Sequence, residues 1–293
     1  MKILLAIDCS EASDAVIREI NARPWPAGTS VEVLTVTEPA HFWAAIPRLD
    51  EEVARRAADY VDQVAEELRA GGFQASSLVL PGDPKAEIID HATKTDADLI
   101  LVGSHGHSAL ERFVMGSVAK AVVGFAPCSV EVVRARNRAS EEGMRVLLAT
   151  DGSESAQLAA QSIAQRPWPT GTEVRILSVV EFILPTWQVT LEPAIDAAEM
   201  EALREQAMKR SQDAIQSAGQ AIADAGLKTS ESISVLVATP KEVILDEANA
   251  WGADLIVLGS HGRRGVTRFL LGSESEAVAT HAKCSVEVVR KKR

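Results

Sequence analysis

Cysteine is scarce in this chain: Cys9, Cys128 and Cys284 are the only three in 293 residues, and no two form a CxxC pair. That pattern argues against a disulfide framework and against a cysteine-built zinc site. Positive charge is also short. Thirty Lys and Arg stand against forty-one Asp and Glu, a net charge of −11. Nucleic-acid phosphates would be repelled rather than neutralised, so no nucleic-acid partner is expected. No apolar run reaches the ~18 residues that a membrane span requires, so no membrane is expected either. The opening Met1-Lys-Ile-Leu-Leu-Ala-Ile-Asp8 is too short for a signal peptide, and an acid ends it. The expected compartment is the cytoplasm. The basic close, Arg290-Lys-Lys-Arg293, reads as a solvated end.

What the chain does have is a repeat. Ile3-Leu-Leu-Ala-Ile-Asp-Cys-Ser10 returns as Val146-Leu-Leu-Ala-Thr-Asp-Gly-Ser153, and Arg23-Pro-Trp-Pro-Ala-Gly-Thr29 as Arg166-Pro-Trp-Pro-Thr-Gly-Thr172. Cys128-Ser-Val-Glu-Val-Val-Arg134 is repeated without change from Cys284 to Arg290. Two domains follow, 1–138 and 143–293, with the boundary in the polar stretch Ala135–Gly143. In the first copy, apolar runs at Lys2–Ile7, Ser30–Val36, Ala75–Leu80, Asp98–Val102 and Ser129–Arg134 read as strands covered on both faces. Helical patterns lie between them: Val53, Ala57, Tyr60, Val64 and Leu68 share one face, as do Met200, Leu203, Ala207, Ala214, Ala218 and Ala221 in the second copy. Strand–helix alternation implies right-handed crossovers, hence an α/β fold with a five-stranded, doubly wound parallel sheet in each domain. The aromatic insertions His41–Pro47 and Phe182–Trp187 receive no function.

After the fourth strand of each copy comes a glycine loop. Gly103, Gly106, Gly116 and Ser117 are matched by Gly259, Gly262, Gly272 and Ser273 at identical spacing. Glycine lets backbone N–H groups approach a ligand, and a helix starting at Gly-Ser offers unpaired donors and a positive dipole end. A phosphate is the expected occupant, although glycines serving only turn geometry would give the same spelling. The loop is neither a dinucleotide fingerprint, which follows the first strand, nor a P-loop, which ends in GK[ST]. Asp8 and Asp151 close the first strands. Each is either an acceptor for a ribose hydroxyl or base amine, or an acid placed at the start of the next helix; the neighbouring loop favours the ligand. His105 and His261 sit inside Gly-Ser-His-Gly, where a hydrogen-bonding or phosphate-facing imidazole is favoured over a metal ligand. Cys9, near a helix start, has the setting of a lowered thiol pKa.

These features resemble the universal stress proteins in their tandem form, through Asp8-Cys-Ser, Asp151-Gly-Ser, Gly82-Asp-Pro84 and the G-2x-G-9x-G-[ST] loops. The resemblance implies two Rossmann-like domains of strand order 3-2-1-4-5, and the loop is the mark of the family's ATP-binding branch. It implies ATP, or ADP or AMP, with Mg²⁺ a possible companion. Asp8 would contact base or ribose and Val36 the adenine through its backbone, with Gly82 close by. Gly103, Gly106, Gly116, Ser117 and Val118 would hold ribose and phosphates. Asp151, Val179, Gly259, Gly262, Gly272 and Ser273 form the second set. Departures fall in the second copy. Ala238 replaces Gly82, and Glu274 sets a carboxylate beside the phosphate pocket. Arg263 and Arg264 counter it with phosphate-matching guanidinium groups. The second site is therefore expected to be weaker or altered.

The resemblance also implies pairing through the fifth strands, Ser129–Arg134 with Ser285–Arg290 antiparallel, and a homodimer of tandem chains beyond that. Three functions follow: a nucleotide-gated interaction module of the stress response, a slow ATP hydrolase, or a dimeric scaffold with vestigial sites.

Overall fold

The computed structural model describes residues 1–38, 47–105, 115–135, 143–181, 197–236, 239–263 and 271–292. The insertions named above, apart from Pro47, lie outside them, as do Gly106, Ala238 and Arg264. The first half runs β1 (Lys2–Ala6), α1 (Glu11–Ala22), β2 (Ser30–Thr37), α2 (Pro47–Ala70), β3 (Gln74–Pro81), α3 (Pro84–Thr95), β4 (Leu99–Gly103), α4 (Ser117–Phe125) and β5 (Ser129–Val133). The second repeats it: β6 (Arg145–Ala149), α5 (Glu154–Ala164), β7 (Glu173–Glu181), α6 (Ala197–Asp224), β8 (Lys228–Leu236), α7 (Pro240–Trp251), β9 (Leu255–Gly259), α8 (Ser273–His281) and β10 (Ser285–Val289). Each expected strand of the first half is found within a residue of its bounds.

Both halves have the expected order, and they join into one sheet: β3-β2-β1-β4-β5-β10-β9-β6-β7-β8. Pairing is parallel within each half. β5 and β10 alone pair antiparallel, with Val130, Glu131 and Val132 opposite Val288, Glu287 and Val286. The edges that two separate sheets would expose are thereby closed. On the face carrying α3, α4, α7 and α8 a single apolar cluster runs through both halves, from Leu34 and Ile100 to Ile256 and Leu177. The opposite face has two cores, one around Leu5, Ile20 and Leu68, the other around Leu148, Ile163 and Ile222. The N-terminal portions of α2 and α6 outrun the sheet. Their 24 and 28 residues extend further than strands of eight or nine residues, which leaves Val53 and Leu203 exposed although the periodicity places both on the apolar face.

The basic close is not simply a solvated end. Arg290 reaches across the domain boundary and donates to the carbonyls of Ala126, Val123 and Gly124 at the C-terminal end of α4. Arg134 does the same at α8, donating to Ala279, Thr280 and Cys284. Each domain thus caps the other's fourth helix with a cation where the dipole is negative. Burial pushes the Arg134 guanidinium down to about 10, a cost that the three carbonyls offset in part. Lys292 is also held, its Nζ 2.7 Å from Asp98 and 2.8 Å from Asp96.

Candidate functional site

The carboxyl ends of β1, β2 and β4, and of their counterparts β6, β7 and β9, carry the expected residues. β1 pairs with β2 as far as Ala6 opposite Leu34, and β6 with β7 as far as Ala149 opposite Leu177. Val36 and Val179 lie two residues further on, where the strands have separated, and both pack on the α3/α4 or α7/α8 face. Gly82 follows β3 with φ of 145°, a conformation open mainly to glycine, and its N–H donates to Thr37 O.

How the helices begin distinguishes the site. Ser10 caps α1 by accepting from Ser13 N, and Ser153 caps α5 by accepting from Ala156 N. Asp83 caps α3 through Lys85 N at 2.8 Å. α4 and α8 start instead at Gly116 and Gly272, which offer no capping side chain. The N–H groups of Gly116 and Gly272 themselves are spent on Ser104 O (2.7 Å) and Ser260 O (2.8 Å). Among the described residues no acceptor meets the next N–H groups: those of Ser117, Val118 and Ala119, and those of Ser273, Glu274 and Ser275. Six first-turn donors, three per helix, are left open beside the exposed residues Ser117 and Ser273.

The flanking groups are more self-contained than their positions in the sequence suggest. Asp8 Oδ1 accepts from Ser10 N, Ser10 Oγ and Ser13 Oγ at 3.2, 2.5 and 2.8 Å, which fastens the turn into α1. Asp151 accepts from Ser153 N through Oδ1 and from Arg263 N through Oδ2, both at 2.9 Å. The second carboxylate therefore ties the β6–α5 turn to the glycine loop after β9. Gly262 lies against it, and a Cβ there would stand 3.1 Å from Asp151 Oδ2. Gly103 and Gly259 have a packing reason to be glycine: an added Cβ would meet Ala12 Cβ at 2.8 Å and Ser155 at 2.5 Å, so the first turns of α1 and α5 rest on bare backbone. A Cβ at Gly272 would press on Ser260 O at 3.3 Å.

His105 and His261 are held alike. Nδ1 of His105 lies 2.7 Å from Ser104 Oγ, and Nδ1 of His261 lies 2.9 Å from Ser260 Oγ. Both serines are buried and bonded through N–H to Val133 O and Val289 O. His261 Nε2 is buried without a hydrogen-bond partner.

Two expectations are corrected here. Glu274 is not a bare charge in the phosphate pocket, because Oε2 accepts from Lys241 N at 2.8 Å, in the first turn of α7. In the first half Asp83 fills that role for α3; in the second, where Thr239 stands at the cap, a residue of α8 supplies the carboxylate. Nor is the Cys9 thiol lowered. Burial pushes it up, and the nearby charges of Asp8 and Asp14 add to the effect. Sequence reasoning missed Ser13 and Ser155, whose hydroxyls meet Asp8 and His261 O, because a serine inside a helix carries no signal of what its neighbours are.

A ten-stranded α/β sheet with a glycine loop before an uncapped helix in each half defines a class: tandem doubly wound domains whose strand-end sites lie at opposite edges of one sheet. The universal stress protein family model matches residues 1–134 and again 144–290, and the chain belongs to that family. It is similar to a universal stress protein of Mycolicibacterium smegmatis, 28% identical over 98% of this chain and 96% of that protein. A universal stress protein of Methanocaldococcus jannaschii is 39% identical over 31% of this chain and 52% of that protein. Among solved structures, a universal stress protein from Archaeoglobus fulgidus superposes with a TM-score of 0.66 at 24% identity, over 99% of this chain and 96% of that one, a likeness of fold. Among the described residues no cluster of three or more His, Cys, Asp or Glu is arranged to hold a metal, and no helix is long and apolar enough to cross a membrane.

Proposed function

We propose that this universal stress protein binds an adenine nucleotide, ATP in the first instance, with its phosphates on the N-terminal turns of α4 and α8. In this reading it acts as a nucleotide-gated interaction module of the cytoplasmic stress response, and two tandem chains associate as a dimer. One observation carries the reading: the helices elsewhere that begin at Ser10, Asp83 and Ser153 are capped by their own side chains, while the two that follow the glycine loops are not. Open N–H groups at a helix start suit a phosphate, and the dipole adds to the attraction. Ser117 and Ser273 supply hydroxyls; Val36, Val179, Asp8 and Asp151 stand where base and ribose would lie. Any Mg²⁺ would be held chiefly by phosphate oxygens. The first half is the stronger site, because α8 carries Glu274 and Glu276 in its first turn where α4 carries no acid.

Calorimetric titration with ATP tests this, on the wild type and on Ser117→Glu. A glutamate at the first position of α4 favours the helix but sets a carboxylate against the phosphates. Retained melting temperature with binding reduced at least tenfold supports the proposal. No heat from wild type at millimolar ATP, or equal binding by Ser117→Glu, overturns it.

A further inference from the structure

The two halves differ on the face opposite α4 and α8. In the first, Ile17 of α1 and Tyr60 and Val64 of α2 fill the space between the two helices and pack on the core there. Counted from the N-cap serines Ser10 and Ser153, the position of Ile17 is Ala160. Counted back from the helix ends Ala70 and Asp224, those of Tyr60 and Val64 are Ala214 and Ala218. Cys9 is likewise replaced by Gly152, where an added Cβ would stand 3.0 Å from Ala214 Cβ. Three bulky side chains have become three methyl groups. α5 and α6 come closer together than α1 and α2 do, and along their contact runs a cleft of about 470 Å³ lined from Thr150 and Gly152 to Ala221.

A second change falls at its mouth. In the first half Arg56 is paired with Glu52 at 2.7 Å. The corresponding residues of α6 are Arg210 and Gln206, so the carboxylate is gone and the guanidinium faces the cleft without an ion-pair partner among the described residues. Arg263 lines the cleft from the other side, also without one. Asp213 is the single acid in the lining, and Gln157, Gln161 and Ser217 give neutral polar groups along the walls.

We infer that the α5–α6 cleft is a binding site, separate from the strand-end site, for a small amphipathic monoanion whose apolar body lies on the alanine floor and whose acidic group meets Arg210 and Arg263. The volume is that of a small-molecule pocket. Two free guanidinium groups against one carboxylate favour an anion, in a chain whose overall charge would otherwise repel it. The inference does not rest on nucleotide binding: Gly272 and Ser273, which would hold the phosphates, take no part in the lining, although Arg263, whose N–H meets Asp151, borders both sites.

The probe is 8-anilinonaphthalene-1-sulfonate, followed by fluorescence on the full chain at 150 mM salt. Saturable binding of one molecule per chain is expected, displaced by octanoate and unaffected by millimolar ATP. Ala160→Ile/Ala214→Tyr, which restores the residues of the first half, reduces affinity at least tenfold with the melting temperature kept or raised. Should that double variant fail to fold, Ala218→Val carries the same test. Arg210→Gln weakens binding about tenfold and flattens its salt dependence. Absence of saturable binding, undiminished binding by the filled variants, or displacement by ATP each overturns the inference.

Discussion

Glu131 and Glu287 face each other as directly paired residues across the antiparallel β5–β10 contact, and both side chains are buried to within 1% of full exclusion from solvent. Two like charges at the pseudo-twofold axis survive because each is matched within its own half. Arg23 Nη2 lies 2.6 Å from Glu131 and Arg166 Nη2 lies 2.6 Å from Glu287. Arg23 also lies 3.0 Å from Glu19, and those charges raise its pKa despite burial. Trp168 stands between the two arginines, 5.9 Å from the guanidinium of Arg23 and 5.3 Å from that of Arg166. The repeated Arg-Pro-Trp-Pro and Ser-Val-Glu-Val-Val segments thus meet at the domain junction.

Breaking one of these pairs leaves an uncompensated buried charge, which costs about 3–5 kcal/mol, whereas replacing both partners by apolar residues is close to neutral. Arg166→Met should therefore lose stability on that scale in urea unfolding at pH 7, followed by tryptophan fluorescence. Arg166→Met/Glu287→Met should recover most of it. A double variant as unstable as the single one would show that the packing of Arg166, not its charge, is what matters.

Arg290 tests the reciprocal cap. Its guanidinium serves three carbonyls at the end of α4, and hydrogen bonds to a charged group contribute about 1.5–3 kcal/mol. Arg290→Ala should lower stability by that amount and speed hydrogen exchange in the last turn of α4, a helix of the other domain. Arg290→Lys should not restore protection, because an ammonium cannot reproduce the planar fork. Unchanged exchange in α4 would mean that the cap is not holding that helix.

The α/β class and the five strands per copy were legible because they depend on period and repetition; the order 3-2-1-4-5 came from the resemblance to the family. The glycine loops were legible for the same reason, since their spacing is doubled. What the sequence withheld were contacts between residues far apart in the chain. Nothing in Arg134 or Arg290 says that each points into the opposite domain. Nothing in Gly103 or Gly259 separates a close ligand from a close helix, and the structure shows the helix. The alanines of α6 read as an ordinary apolar face until set against Tyr60 and Val64.

Glu274 illustrates that kind of hidden pairing, and it makes a prediction. The first half has Asp83 at the cap of α3 and Val118 in α4; the second has Thr239 at the cap of α7 and Glu274 in α8. Glu274→Val removes the acceptor for Lys241 N and should cost about 1 kcal/mol, the usual value of a cap. Adding Thr239→Asp should return it, since the carboxylate is then supplied as in α3. Thermal melts of the single and double variants decide this. If Thr239→Asp gives the same gain with Glu274 still present, the two residues do not share the role.

Cys9 sits in left-handed backbone with φ of 62°, where its counterpart Gly152 has φ of 75°. A side chain there is strained, so Cys9→Gly should stabilise the fold by about 1 kcal/mol. The thiols themselves should be sluggish. Burial pushes Cys128 up to about 12 and Cys284 up to about 11, and Cys9 is raised as well. At pH 8 a disulfide reagent should therefore modify the exposed Cys9 slowly and leave the other two intact until the chain unfolds. For Cys128 and Cys284 the folded protein keeps protons that the unfolded chain releases above pH 9, so their contribution to stability, complete below pH 9, declines as pH rises through about 11 to 12. Urea midpoints at pH 8 and pH 10 should differ in that direction, and the difference should shrink in Cys128→Ala. A midpoint that rises with pH over this range would show that the buried thiols do not set the alkaline limit of the fold.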